Sequence, residues 1–244
     1  MSVTGKTLTA TILYTAICAT AACGGAKKAP DSAAAAVPDT TQSKPVQLPA
    51  AAKSDARPTI LFAGTSLTAG LGLEPDSAYP MLIQRKIDSA GLRFEVTNAG
   101  VSGETSSGLV DRLDWLLRGN FRVLVVETGA NDGLRGIPAS TLRTNLASIL
   151  DRVKAKRPDA KVVVVQMEVL PNLGPQYASE FHRVFPEVTK AKGVTLLPFL
   201  LDGVAGRREL NQGDGVHPNN RGEHIVADNV WRALKPVLDS VARQ

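Results

Sequence analysis

From about residue 57 onward, apolar residues follow two alternating rhythms. Short, largely apolar runs fall at 59–63, 94–97, 123–126, 162–165 and 194–197. Runs of this length suit strands covered on both faces, as in a central parallel sheet. Between them the spacing changes to three or four. Met81, Leu82, Ile83 and Ile87 fall within 79–90, Leu109, Leu113, Leu116 and Leu117 within 109–117, and Leu142, Leu146, Ile149, Leu150 and Val153 within 141–156. A further helix is predicted over 181–191, and Ile225, Val226, Val230, Leu234 and Val237 form a closing stripe within 219–238. That period puts each set on one helix face. Gly91 stops the first helix. Five strands alternating with helices predict one α/β domain over 58–244, a three-layer α/β/α stack on a five-stranded parallel sheet.

The first 57 residues lack this pattern. Lys6 precedes an uncharged, mostly apolar stretch at 8–22, too short for a membrane span and suited to an export signal over 1–22. Two endings compete. Ala19-Thr20-Ala21 fits ordinary signal cleavage, whereas Thr20-Ala21-Ala22-Cys23 resembles a bacterial lipoprotein box in which Cys23 is lipidated. Thr20 departs from that box, where a large aliphatic residue is usual. Gly24-Gly25 and the tether-like stretch after them favour the lipoprotein reading, with the domain anchored in the bacterial envelope and facing the periplasm; without lipidation it would be soluble there. Residues 23–57, rich in Ala, Pro, Lys, Asp, Ser and Thr, are predicted to be a disordered tether, having too little apolar surface to offset the entropy of ordering. Cys18 lies within the expected signal, so the mature chain would hold at most Cys23 and no internal disulfide.

The net charge of +5 changes this picture little. Lys6 supplies one unit and residues 24–57 a net of two, leaving +2 for the domain. Aromatic residues make up 5% of the chain and no basic stripe interleaves with them, so nucleic acid is not an expected partner.

Candidate chemistry falls at the ends of the predicted strands. Ser66 follows the first strand in Gly64-Thr65-Ser66-Leu67, where open α/β sheets bind ligands. A serine nucleophile needs a base, and the base an orienting group. Of the three histidines, His217 stands in Gly213-Asp214-Gly215-Val216-His217-Pro218, where Asp214 can turn onto its ring. His182 and His224 fall on predicted helices without such a partner and read as surface or packing residues. Gly103 lies in the loop after the second strand, where backbone N–H groups can face a site. Asn131 follows the third strand in Gly129-Ala130-Asn131-Asp132 and can aim its amide at the same point. Taken singly, each of these loops equally suits an ordinary turn.

Together, the four blocks Gly64-Thr65-Ser66-Leu67, Gly103, Gly129-Ala130-Asn131-Asp132 and Asp214-Gly215-Val216-His217 resemble, in order, those of the SGNH (GDSL-type) hydrolases. Thr68-Ala69-Gly70, Asn131-Asp132-Gly133-Leu134-Arg135-Gly136 and Leu196-Leu197-Pro198-Phe199 are similar to the bacterial arylesterases and multifunctional acyl-CoA thioesterase I/lysophospholipases. The resemblance implies a flavodoxin-like SGNH fold, with Ser66 as nucleophile, His217 as general base and acid, and Asp214 orienting His217. The implied oxyanion hole is the N–H of Ser66, the N–H of Gly103 and the amide of Asn131. No metal or organic cofactor is implied. The implied activity is hydrolysis of carboxylic esters through an acyl-enzyme. Its substrates would be small-molecule or lipid esters: aryl or short-to-medium acyl esters, thioesters or lysophospholipids. A carbohydrate O-acetyl esterase and a degenerate, non-catalytic binding module are the alternatives. In that branch the loop at 168–175 borders the acyl groove; structurally it equally suits a connector. Thr65 departs from the family's usual acidic residue, and its hydroxyl is expected to supply only some of the hydrogen bonds that tie down the nucleophile loop.

Overall fold

The computed structural model describes residues 57–243. The expected signal at 1–22, Cys23 and the tether up to residue 56 lie outside the described residues. Within them the chain runs β1 (Thr59–Gly64), α1 (Ser66–Ala69), α2 (Tyr79–Ser89), β2 (Glu95–Gly100), α3 (Ser106–Leu116), β3 (Val123–Val126), α4 (Ala130–Leu134), α5 (Ala139–Lys156), β4 (Lys161–Gln166), α6 (Pro175–Lys192), β5 (Thr195–Phe199) and α7 (Asn220–Ala242). The strands form one parallel sheet in the order β2-β1-β3-β4-β5.

Each parallel connection carries at least one helix across a face of the sheet, and this sets the layers. α2 packs with α7 on one face, while α3, α5 and α6 pack in succession on the other. β3 is buried at every position, and Ile60, Phe62, Val125 and Val164 are fully enclosed. These are the runs the sequence marks as covered on both sides. Strand order reverses beside β1, where the chain leaves to one side for β2 and returns past it to β3. Such a switch point opens a crevice at the carboxyl ends of the strands.

Several boundaries differ from the sequence-based expectation, and three are instructive. β2 continues through Asn98-Ala99-Gly100, pairing Phe62 with Asn98 and Gly64 with Gly100. The Asn98 amide donates to the carbonyl of Thr68 at 2.8 Å, so a turn-forming residue serves here inside a strand. α6 begins at Pro175 rather than 181, following Gly174 at φ +83°. Proline at the first helical position loses no internal hydrogen bond, but this exposed first part carries no apolar stripe to reveal it. α7 runs through Pro236 to Ala242.

Candidate active site

The first turn of α1 presents the serine. Thr65 caps it in extended conformation, accepting the Leu67 N–H at 3.4 Å, and Gly70 closes it in the left-handed region. Ser66 is thereby raised at the sheet edge, largely buried, with Oγ 2.8 Å from Nε2 of His217. His217 Nδ1 lies 2.6 Å from Asp214 Oδ2. The other Asp214 oxygen accepts the backbone N–H groups of Val216 and His217 at 2.9 and 3.0 Å. Those backbone donors, with the His217 ring, hold the Asp214 carboxyl down to about 2. An ionised Asp214 keeps the proton on Nδ1 and leaves Nε2 to accept one from Ser66.

The histidine loop is braced by a residue that sequence reasoning missed. Gln212 donates its backbone N–H to the His217 carbonyl at 2.7 Å, and its amide to the carbonyls of Leu71 and Pro218 at 2.7 and 2.9 Å. It thus ties the loop before α7 to the segment after α1. The link joins positions 141 residues apart, which no local pattern can reveal.

Gly103 and Asn131 meet beside the serine turn. Val101 N–H donates to Gly64 O, bringing the 101–105 loop against the end of β1. Gly103 has φ +78°. Arg135 donates to its carbonyl at 2.8 Å, and Asn131 Nδ2 donates one hydrogen to Glu104 O at 2.9 Å. An amide nitrogen carries two hydrogens, so Glu104 fixes the orientation of Asn131 and leaves one free to donate. Glu104 is itself gripped by Arg112, Nε to Oε1 at 2.6 Å and Nη2 to Oε2 at 2.7 Å. The buried Asp132 takes the N–H and hydroxyl of Ser106 at 2.8 and 2.5 Å, locking α4 to the start of α3. Arg112 escaped the sequence reading, and Arg135 entered it only as part of a family motif, without this contact.

A family model, for the GDSL-like lipase/acylhydrolase family, matches residues 62–225. The chain belongs to this family. It is 39% identical to the esterase TesA of Pseudomonas aeruginosa over 74% of this chain and 89% of that one. It is 34% identical to thioesterase 1/protease 1/lysophospholipase L1 of Escherichia coli over 77% and 88%. Among solved structures, a crystal structure of TesA superposes with a TM-score of 0.70 at 38% identity, covering 73% of this chain and 99% of that one. A psychrotrophic esterase EstA from Pseudoalteromonas sp., inhibited by monoethylphosphonate, gives a TM-score of 0.70 at 33% identity, covering 74% and 98%.

In this GDSL family member a cavity of about 330 Å³ opens beside the serine. Leu67 and Val216, the neighbours of Ser66 and His217, line it with Met167, Val169, Phe199 and Leu201. The loop after β4, one of whose expected roles was that of a mere connector, forms one wall. A wider cleft of about 600 Å³ between β2 and α3 touches neither Ser66 nor His217. His182 corrects the expectation that it lacks a partner: its Nδ1 lies 2.7 Å from Glu168, on the wall of the smaller cavity. The pairing was invisible in sequence because Glu168 sits on a different element, 14 residues away. His224 stays exposed on α7. Among the described residues no three His, Cys, Asp or Glu side chains converge as a metal site requires, and no helix is long and apolar enough to cross a membrane.

Proposed function

We infer that the ester hydrolysis performed by this family member runs through Ser66. His217 Nε2 takes the Ser66 proton as Oγ attacks the carbonyl, and the ionised Asp214 stabilises the imidazolium that forms. The N–H groups of Ser66 and Gly103 and the free amide hydrogen of Asn131 receive the developing oxyanion. His217 then protonates the leaving group, and water repeats the sequence on the acyl-enzyme. The observation that carries this reading is the 2.8 Å contact between Ser66 Oγ and His217 Nε2, with Asp214 on the far side of the ring.

The apolar cavity beside Ser66 supports aryl or short-to-medium acyl groups. The names of the relatives add thioesters and lysophospholipids to the candidate substrates. A carbohydrate O-acetyl esterase would have little use for such a lining. The test is hydrolysis of p-nitrophenyl esters from acetyl to long acyl, beside fluorophosphonate labelling. Serine-dependent turnover peaking above acetyl is the expected outcome. Ser66→Ala is expected to remain folded and lose both turnover and label, and retained turnover would refute the nucleophile. An optimum at acetyl would favour the carbohydrate esterase, and an unlabelled, inactive but folded wild type the non-catalytic module.

We further propose that residues 1–22 direct export and that Cys23 is lipidated, with 23–57 tethering the 58–244 domain in the cell envelope. Incorporation of labelled palmitate that disappears in Cys23→Ala is expected. Export without incorporation would instead support ordinary signal cleavage.

A further inference from the structure

A carboxylate that the proposed reaction leaves unused lies directly beneath the serine turn. Glu127 follows β3, donates its N–H to Ala63 O, and is 1% exposed. Its Oε2 accepts the Thr65 N–H at 2.7 Å. The Thr65 hydroxyl lies 2.9 Å from Oε2 and 3.1 Å from Oε1. The Thr68 hydroxyl lies 2.9 Å from Oε2 and 2.9 Å from the Tyr79 hydroxyl. With Glu127 ionised the hydrogens balance in one way: both threonines donate into the carboxylate, and Tyr79 donates to Thr68. The packing admits no slack, since a Cβ on Gly64 would stand 2.7 Å from Glu127 Oε2. Ser66 lies between the two threonines, on the same turn.

We propose that Glu127 is a positioning residue, which fixes the first turn of α1 through Thr65 and Thr68 and so aims Ser66 at His217 and at the oxyanion. The inference rests on Ser66 being the nucleophile. Burying a carboxylate is costly, and such groups add little net stability, so orientation is the better reason for this one. Burial pushes the Glu127 carboxyl up, and the hydrogen bonds from Thr65 and Thr68 pull against that rise. The same geometry accounts for Thr65. An acidic side chain there would set two carboxyl groups against each other, and they would have to share a proton. A threonine hydroxyl brings its own hydrogen and bonds to Glu127 in either ionisation state.

The experiment compares Glu127→Gln, Thr65→Val, Thr65→Ser and the double variant Thr65→Asp/Glu127→Gln with wild type. Each is followed by near-UV circular dichroism, kcat and KM on a p-nitrophenyl ester, and the rate of Ser66 labelling by a fluorophosphonate. In Glu127→Gln and Thr65→Val, kcat and labelling rate are expected to fall ~10–100-fold with KM nearly unchanged, the pattern of a displaced nucleophile. Thr65→Ser keeps the hydroxyl and is expected to stay near wild type. The double variant moves the carboxylate across the pair and supplies an amide donor opposite it, so it is expected to regain much of what Glu127→Gln loses. Wild-type kcat and labelling in folded Glu127→Gln would overturn the proposal, as would a double variant no better than Glu127→Gln. Should Glu127→Gln not fold, equal rates in Thr65→Val and Thr65→Ser would overturn it. A wild type that does not label would refute the nucleophile instead.

Discussion

Asp214 touches both the backbone and the ring of His217. One oxygen is held by the Val216 and His217 N–H groups while the other meets Nδ1. Asp214→Asn keeps the volume but can set an amide N–H₂ against Nδ1, favouring the wrong tautomer. We expect kcat to fall about 10⁴-fold at unchanged fold, read from steady-state kinetics beside circular dichroism. Asn131→Ala is expected to lower kcat ~10²–10³-fold with a modest change in KM. An unchanged kcat would make Asn131 a turn residue alone. The sequence marked Asp214 and His217 as candidates because they stand three positions apart on one turn, and Ser66 because its turn follows an apolar strand. Glu127 escaped notice because its partners stand 59 and 62 positions away. At Thr65 the loss of a carboxylate was legible, whereas the carboxylate across from it was not. The Thr65 hydroxyl gives Glu127 one hydrogen and accepts the Leu67 N–H, beside a backbone N–H that any non-proline residue there would offer.

Among the elements, α4 shows how a short helix is steered by what precedes it. Gly129 enters it at φ +99°, and a Cβ there would come within 3.1 Å of Leu142 and 3.2 Å of Phe181 and Phe185. Gly129→Ala therefore adds strain and crowding from α5 and α6 together. We expect a loss of ~1–3 kcal/mol in urea unfolding, and a lower kcat as Asn131 shifts with the helix. The long apolar-striped helices were legible at this scale. α1 and α4 were not, because four or five residues cannot display a helical period. The start of α6 was hidden for the same reason, its first two turns lying outside the stripe that Phe181, Val184, Phe185 and Val188 make.

At the scale of the whole molecule, the two helices on one face of the sheet are joined by a buried carboxyl. Glu223, in the first turn of α7 and 2% exposed, accepts the Tyr79 N–H at the start of α2 at 2.7 Å. Burial pushes it up to about 8, against the opposing pull of that N–H. The unfolded chain gives up this proton near 4.5 while the folded chain holds it to about 8. The contribution is thus complete below the lower value and lost as pH rises through the upper one, at about 1.4 kcal/mol per pH unit between them. Urea unfolding of Glu223→Gln at pH 5, 6.5 and 8 is expected to be flatter by this slope, since the amide oxygen can still accept the Tyr79 N–H. An unchanged slope would mean that Glu223 is ionised in the folded protein.

The contact between Ser66 and His217 spans 151 positions of sequence. Synthesis delivers the two partners at different times, and a ribosome that has released residue 66 has well over a hundred codons still to read. Through that interval Ser66 has no base beside it and, on the proposed mechanism, the growing chain cannot attack esters it meets. On the proposed mechanism, reactivity switches on only when the loop bearing His217 docks, so the fraction of molecules that accept a phosphonate also counts those in which that loop and the turn after β1 have come together.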